Sequence, residues 1–560
     1  MGSESPYLLD PIENFCAISG HSTLIINNKL YITTGYAPVI DNGTTRIASS
    51  PWIREIDLTG AFDLDRVASV TNILPPSIVP VNIPDNQGAS FWWDPTSSSI
   101  IYTQGGGTIE GSGGVIRDER LVSFGRPGKS WVGKYNSANS SFETWEEIDT
   151  PLLGQTGQVS SLRRYFDPIG RKGYIYGGSI VGEGGGQRNQ ILIYDAVEQS
   201  WTNRTTPYGL FDDVGTAVSY RTTAGKILGI VFGGTLNGTP LSMETILIYD
   251  AETDTWYRQR TNGAPPIARS HFCATTIKAP DNSSTQILVY GGFGEQHPSD
   301  IFALSLPSFT WVRLEEKSPD FLPGPGVRLQ PACEVVNDRF FTIFGGRSLV
   351  GGDTANCDTD QNALFMYDLT ERDWISSYDP DARGYNIPQP VYAAIGGNSK
   401  GSATMTAPPD GFATPTMAEL FALTTPSTTS TNAPDPTVTN PPPAETGASE
   451  GKKSSAGGIA GGVIGGLAVL AVIGFLFFKY KKKHSRDLAT LPFVEPPPPP
   501  PHQRPEIVEA PTSRPYAAEV DAFPARPPIM ELNGDGLLKP YGGPPIELPV
   551  VELPADPTKR

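Results

Sequence analysis

KGYIYGG at Lys172–Gly178, ILIYD at Ile191–Asp195 and SW at Ser200–Trp201 form a unit that the chain repeats. LGIVFGG, ILIYD and DTW follow, ending at Gly234, Asp250 and Trp256. ILVYGG, DIFAL and FTW end at Gly292, Leu304 and Trp311; FFTIFGG, ALFMYD and RDW end at Gly346, Asp368 and Trp374. Two looser copies come earlier: KLYITTG with REIDL (Lys29–Gly35, Arg54–Leu58), and IIYTQGG with WVGKY and ETW (Ile100–Gly106, Trp131–Tyr135, Glu143–Trp145). Each apolar run has strand length and stops at glycines, where the chain turns tightly without a Cβ clash. Tyr-Asp closes the next strand with a large side chain and a turn-forming residue. The tryptophan then opens a fourth strand and is large enough to fill the gap between adjacent twisted sheets.

Four strands repeated about every 50 residues, with this diglycine and tryptophan pattern, resemble the kelch repeat, so residues 1–400 are expected to be an all-β propeller. Gly20-His21-Ser22 and Arg269-Ser270-His271 stand where kelch relatives carry their first-strand motif. Six blades can be counted. The diglycine in VYAAIGG (Val391–Gly397) lacks a clear third strand or tryptophan and leaves a seventh blade, or a closing strand, open.

Residues 401–456 change character: TTPSTTSTNAPDPTVTNPPPAETGASE is Ser/Thr/Pro-rich and suits either an O-glycosylated stalk or a plain disordered linker. GGIAGGVIGGLAVLAVIGFLFF, Gly457–Phe478, carries no charge and is long enough for one helix to cross a bilayer, giving a transmembrane segment over 457–479. Lys479, Lys481, Lys482, Lys483 and Arg486 follow and assign the C-terminus to the cytoplasm, with the propeller outside and the plasma membrane as the expected location. Gly457, Gly461 and Gly465 are stacked at four-residue spacing, which lets two helix backbones approach and suits a homodimer. MGSESPYLLDPIENF offers no basic or apolar segment readable as a signal peptide, which conflicts with that topology. Residues 480–560 read as a disordered tail; Pro496–Pro501 favours polyproline II and presents a ligand for SH3, WW, EVH1 or profilin-like modules.

A formal charge of −17, with no basic surface stretch outside the juxtamembrane lysines, excludes nucleic acid as an expected partner. Cys16, Cys273, Cys333 and Cys357 all precede the apolar span and contain no Cys-x-x-Cys, so neither zinc nor thioredoxin-like chemistry is suggested. Their even number fits one or two disulfides, with Cys333 and Cys357 the nearest pair; buried thiols fit as well. Five sequons, at Asn42, Asn139, Asn203, Asn237 and Asn282, are candidate glycosylation sites, although Pro240 lowers the use of Asn237.

Catalysis finds little support. The kelch resemblance brings galactose oxidase-like copper enzymes into view, but His21, His271 and His297 supply no evident ligand set. Gly111–Gly114 and Gly182–Gly186 lack the Gly-Lys-Ser/Thr ending of a phosphate loop, and Asp353–Asp360 lacks the spacing of a calcium loop. No catalytic, cofactor or metal residue is assigned. The expectation is a non-enzymatic, membrane-anchored recognition or scaffold protein that binds proteins through the loops after each diglycine: Tyr36–Trp52, Gly107–Arg120, Ser179–Gln190 and Arg347–Gln361. The resemblance extends to fungal single-pass kelch proteins. Its alternative is a copper-radical oxidase or an accessory protein of a specialised pathway.

Overall fold

First strands at Thr23–Ile26, Ser90–Asp94, Arg164–Asp167, Thr216–Arg221, Cys273–Lys278 and Ala332–Val336 each open a set of four antiparallel strands, to which the fifth sheet adds a parallel edge strand, Asn262–Gly263. Within each sheet the four antiparallel strands follow chain order, so every blade is built from one continuous segment. Each first strand packs beside those of the blades before and after it, and the strand at Thr23–Ile26 meets the one at Ala332–Val336. Six sheets therefore close into a ring around an axis lined by first strands. The computed structural model describes Ile12, Phe15 and residues 17–422 except 34, 42–43, 51–52, 75–87, 104–114, 118–119, 123–128, 140, 150–157, 161–162, 182–185, 210–213, 237–238, 295–297, 315–323, 349–357 and 359–362.

The repeat residues hold neighbouring blades together as their chemistry suggests. Trp256 packs edge-on to Tyr176 of the preceding blade at 5.8 Å, Trp311 meets Phe232 at 6.3 Å, and Trp374 meets Tyr290 at 5.8 Å. In each pair the partner is the aromatic residue just before the previous blade's diglycine. The diglycine adds a backbone link. Gly234 N–H donates to the Arg269 carbonyl at 2.8 Å, Gly292 N–H to that of Arg328 at 2.8 Å, and Gly346 N–H to that of Ile18 at 2.7 Å. The last of these joins blade 6 to blade 1. Gly345 beside it has φ +63°, and a Cβ there would lie 2.2 Å from the Ile18 carbonyl oxygen, so only glycine fits.

A second set of backbone bonds circles the axis. His271 N–H donates to Val214 O, Gln330 N–H to His271 O, Gly20 N–H to Gln330 O and Gly88 N–H to Gly20 O. These bonds cross four successive junctions, from blade 4 round to blade 2. A clasp reinforces the closure: Ser377–Tyr378 pairs with Phe62–Asp63, and the Tyr378 hydroxyl donates to Leu58 O at 3.1 Å.

Packing between blades also explains a glycine inside a strand. A Cβ on Gly173 of blade 3 would lie 2.0 Å from the Trp92 ring of blade 2. Gly173→Ala is expected to cost about 2–3 kcal/mol, because the ring has no room to retreat. A urea midpoint unchanged by the substitution would show that blades 2 and 3 are packed more loosely than this.

The count of six blades holds, and two other sequence expectations need correction. VYAAIGG does not begin a blade: Gln389–Ile395 is a helix, α1, and Val391 and Ile395 are buried against blades 5 and 6. The run is apolar at helical spacing, and Pro390 suits a first helical turn, which settles the open choice against a seventh blade or a closing strand. Residues 401–422, read as the start of the stalk, are packed. Helix α2, Pro415–Phe421, buries Met417 and Phe421 against Phe309, and its Phe421 ring stacks on Tyr220 at 5.2 Å. Thr414 caps that helix by accepting from Met417 N–H at 3.2 Å. Finally, Cys333 is bonded to Cys273, not Cys357. Neighbouring first strands bring residues 60 apart in sequence to a Cα separation of 5.5 Å, so nearness in sequence was the wrong guide. Cys357 lies outside the described residues.

Among the described residues no helix is long and apolar enough to cross a membrane. Gly457–Phe478, the lysine block, the helix-packing glycines and Pro496–Pro501 all lie outside the described residues.

Candidate functional site

Sequential antiparallel strands place the connections between second and third strands at one end of the ring, together with the links from blade to blade. The turns joining first to second and third to fourth strands lie at the other end. The two ends differ. At the first, the loops add strands of their own: a hairpin of Gly35–Asp41 with Thr44–Ser50, another of Val115–Arg117 with Arg120–Val122, and a small sheet of Gln158–Ser160, Ser179–Val181 and Gly186–Gln187. Thr235–Leu236 pairs with Thr239–Pro240, and Arg328–Leu329 with Arg347–Ser348. Backbone pairing thus raises a second tier above blades 1, 2, 3, 4 and 6.

This tier contains parts of all four loops singled out from sequence. In the acidic loop Asp353–Asp360, only Asp358 is described, and it forms an ion pair with Arg328 at 2.5 Å. That contact places Asp358 beside Arg328, at the entry to blade 6. Among the described residues no three His, Cys, Asp or Glu side chains converge as a metal site would require. His297 lies outside the described residues.

The opposite end is crossed by the C-terminal segment. Gly384 N–H donates to Asn337 O, Ser402 N–H to Asp281 Oδ2 at 2.5 Å, Ala403 N–H to Ser283 Oγ at 3.1 Å, and Thr223 Oγ1 to Ala422 O at 2.7 Å. Asn337, Asp281 and Thr223 belong to the first turns of blades 6, 5 and 4. The strap therefore crosses three blades and ends, at Ala422, on the end away from the hairpins. Of the sequons, Asn139 and Asn282 are exposed on turns at the strap end and Asn203 is exposed on an outer strand. Asn42 and Asn237 lie outside the described residues.

Between the two ends runs an axial cavity of about 190 Å³. Its wall includes His21, Thr23, Arg164, Thr216, the Cys273–Cys333 disulfide and Glu334. Arg164 donates, among its contacts, to Gly88 O at 3.2 Å, His21 O at 3.3 Å and Ser22 Oγ at 2.6 Å. Burial lowers its pKa to about 10, which leaves it charged at neutral pH. Glu334 accepts from Thr23 Oγ1 at 2.9 Å, and burial pushes its carboxyl up to about 7. His21 is only 3% exposed, and its ring meets Phe344 edge-on at 5.5 Å. Burial, with Arg164 nearby, lowers its pKa to about 3; burial, with Arg347 nearby, lowers that of His271 to about 4.

Sequence reading found both histidines but assigned them only to the repeat, and it passed over Arg164 and Glu334 entirely. A lone Glu within ACEVV carries no signal of facing an axis. These groups predict an acid profile. Both histidines are neutral in the folded ring and titrate near 6.5 when unfolded, so each removes about 1.4 kcal/mol of stability per pH unit below 6.5. Glu334 acts oppositely: its folded pKa is raised, so its contribution is full below about 4.5 and is lost as pH rises towards 7. The net expectation is a loss of about 1.4 kcal/mol per unit from pH 6.5 down to 4.5. Urea midpoints at pH 7, 6 and 5 check this, and His271→Gln should cancel most of the slope. A flat wild-type profile would mean the rings reach solvent.

Comparison with known proteins agrees with the fold. Residues 216–394, from the start of blade 4 through most of α1, match the KLHDC2/KLHL20/DRC7 Kelch-repeats domain. A Kelch repeat-containing protein of the fungus Arthroderma benhamiae is 27% identical over 84% of this chain and 75% of its own length. Host cell factor 1 of human and of rat is 27% identical over 29% of this chain, but only 8% of that protein is covered. The repeated strands, the closed ring of six blades and these matches together identify the folded region of this chain as a kelch-repeat β-propeller.

Proposed function

We propose that this chain is a membrane-anchored, non-catalytic recognition protein whose propeller faces the exterior and binds a protein partner through its second-tier hairpins. The observation that carries this reading is the asymmetry of the two ends. One end bears extra strand pairs over five blades, and the other is covered across three blades by the segment leading towards the apolar span. Loops standing on a rigid ring suit recognition, since the ring fixes their bases. A kelch ring has no chemistry of its own, and the groups on its axis are not arranged as a nucleophile with its base.

Three features support the exterior placement: the disulfide between blades 5 and 6, the exposed sequons, and the lysines after Phe478. The alignment with the Arthroderma protein covers more of the chain than residues 1–422 can supply, so the likeness extends beyond the ring. Inside the cell, Pro496–Pro501 would engage a polyproline-binding module, and Gly457, Gly461 and Gly465 would pair two copies of the span.

Endoglycosidase treatment of the native protein should increase its mobility, and protease added to intact cells should remove the propeller. Unchanged mobility together with protection from external protease would reverse the topology. For the binding face, cross-linking on intact cells should join partner residues to the hairpin end. Cross-links confined to the turns beside Asp281 and Thr223 would refute that assignment.

A further inference from the structure

The strap meets the blades in a fixed order along the chain. Asn386 N–H donates to Thr370 Oγ1 of blade 6 at 3.3 Å, Ala403 N–H to Ser283 Oγ of blade 5 at 3.1 Å, and Ala413 N–H to Gln259 Oε1 of blade 4 at 2.9 Å. The chain leaves from the last of the three, at Ala422 beside Thr223. The elements that close the ring lie upstream of all these contacts, and they are short. Blade 6 holds its fourth strand, Asp373–Trp374, through two residue pairs, Tyr367 with Trp374 and Asp368 with Asp373. The clasp holds through two more, Ser377 with Asp63 and Tyr378 with Phe62. A pull delivered straight to Tyr378 would fall on those four pairs.

We infer that the strap is a tension buffer: a pull on the chain beyond Ala422 releases residues 384–422 from blade 4, then blade 5, then blade 6, and lengthens the tether before the ring carries load. A chain pulled at its outer end loads its outermost contact first. Here that contact is the Thr223 bond to Ala422 and the seven-residue helix α2 behind it. So short a helix has little stability of its own and is held by Met417 and Phe421. Its detachment leaves the blades intact, because every bond within a blade belongs to residues upstream of 384. Once extended, residues 384–422 supply about 130 Å of slack.

Release is reversible by the same chemistry. Val391, Ile395, Met417 and Phe421 are each no more than 1% exposed in the docked strap, and burying them again draws it back when the pull ends. The use of the device rests on the membrane anchoring proposed above: a partner held at the hairpin end and a span fixed in a bilayer would stretch the protein along this path. The order of release depends only on the contacts themselves.

Optical-tweezers pulling on the purified full-length protein in detergent tests this, with one handle in the glycine run at 111–114 and the other between residues 440 and 450. The expected record is a first lengthening of at most about 130 Å, reversed on relaxation, and larger steps only at higher force. Phe421→Ala should make the first step at least about tenfold faster at a fixed force and leave the later ones unchanged. Tyr378→Phe removes the hydroxyl that donates to Leu58 O and accepts from Asn337, and it should do the opposite: an unchanged first step and faster opening of the ring. A first step well beyond 130 Å would mean that a blade opens with the strap still attached, and would overturn the inference. So would Phe421→Ala shifting every step alike. Neither result bears on the protease and glycosidase tests of topology, and a reversed topology would leave the order of release standing.

Discussion

Replacing Cys273 and Cys333 together by alanine is expected to lower the stability of the propeller by about 4 kcal/mol. The bond joins the first strands of blades 5 and 6 and closes a loop of 60 residues, so it removes a large set of open conformations from the unfolded chain. Its position adds to the effect. Each first strand packs against the first strands of both neighbouring blades, so a link there resists the separation of two whole sheets. Urea unfolding of the double variant against wild type, under oxidising conditions, measures the loss. The double variant is preferable to a reductant, which would act on any other disulfide as well. Equal midpoints would mean that the ring closes as firmly without the bond, and the argument for an oxidising compartment would lose its main support.

The second large effect concerns the strap. Met417→Ala with Phe421→Ala is expected to destabilise α2 by about 5 kcal/mol or more, since both side chains are buried completely, each at no more than 1% exposure. Phe421 stacks on Phe412 and Tyr220 and meets Phe309 edge-on, so its removal opens a space that three rigid rings cannot close. A helix of seven residues has little stability of its own and depends on this contact. Loss is therefore expected to appear first as detachment of the strap, exposing apolar surface on blades 4 and 5. Hydrogen exchange would show this as faster exchange over residues 401–422 and in the turn around Thr223. Blade 2 should remain protected. Uniform destabilisation of the ring would instead show that strap and blades unfold as one unit.

Much of the ring was legible because its repeat residues act locally. A diglycine stops a strand whatever surrounds it, and a Tyr-Asp closes one. Asp250 and Asp368 show the local logic: each carboxylate accepts backbone N–H groups of the turn that follows, Glu252 at 3.1 Å and Thr370 at 2.8 Å respectively. The tryptophans were also readable, since a large apolar side chain at fixed intervals must have a repeated place to go. The strands within the loops were far less legible. Hairpin strands such as Val115–Arg117, paired with Arg120–Val122, are three residues long, too short to register as periodicity.

Sequence alone determined the four-stranded repeat, its count of six, the apolar span at Gly457–Phe478 and the separate character of the tail. All of these depend on residue type and spacing along the chain, which is what a sequence records directly. Tertiary structure decided that Cys333 joins Cys273, that residues 401–422 strap three blades, and that His21, Arg164 and Glu334 share one cavity. Each of those pairs residues tens to hundreds of positions apart. Ring closure sets them beside one another, and closure depends on the twist and packing of all six sheets together.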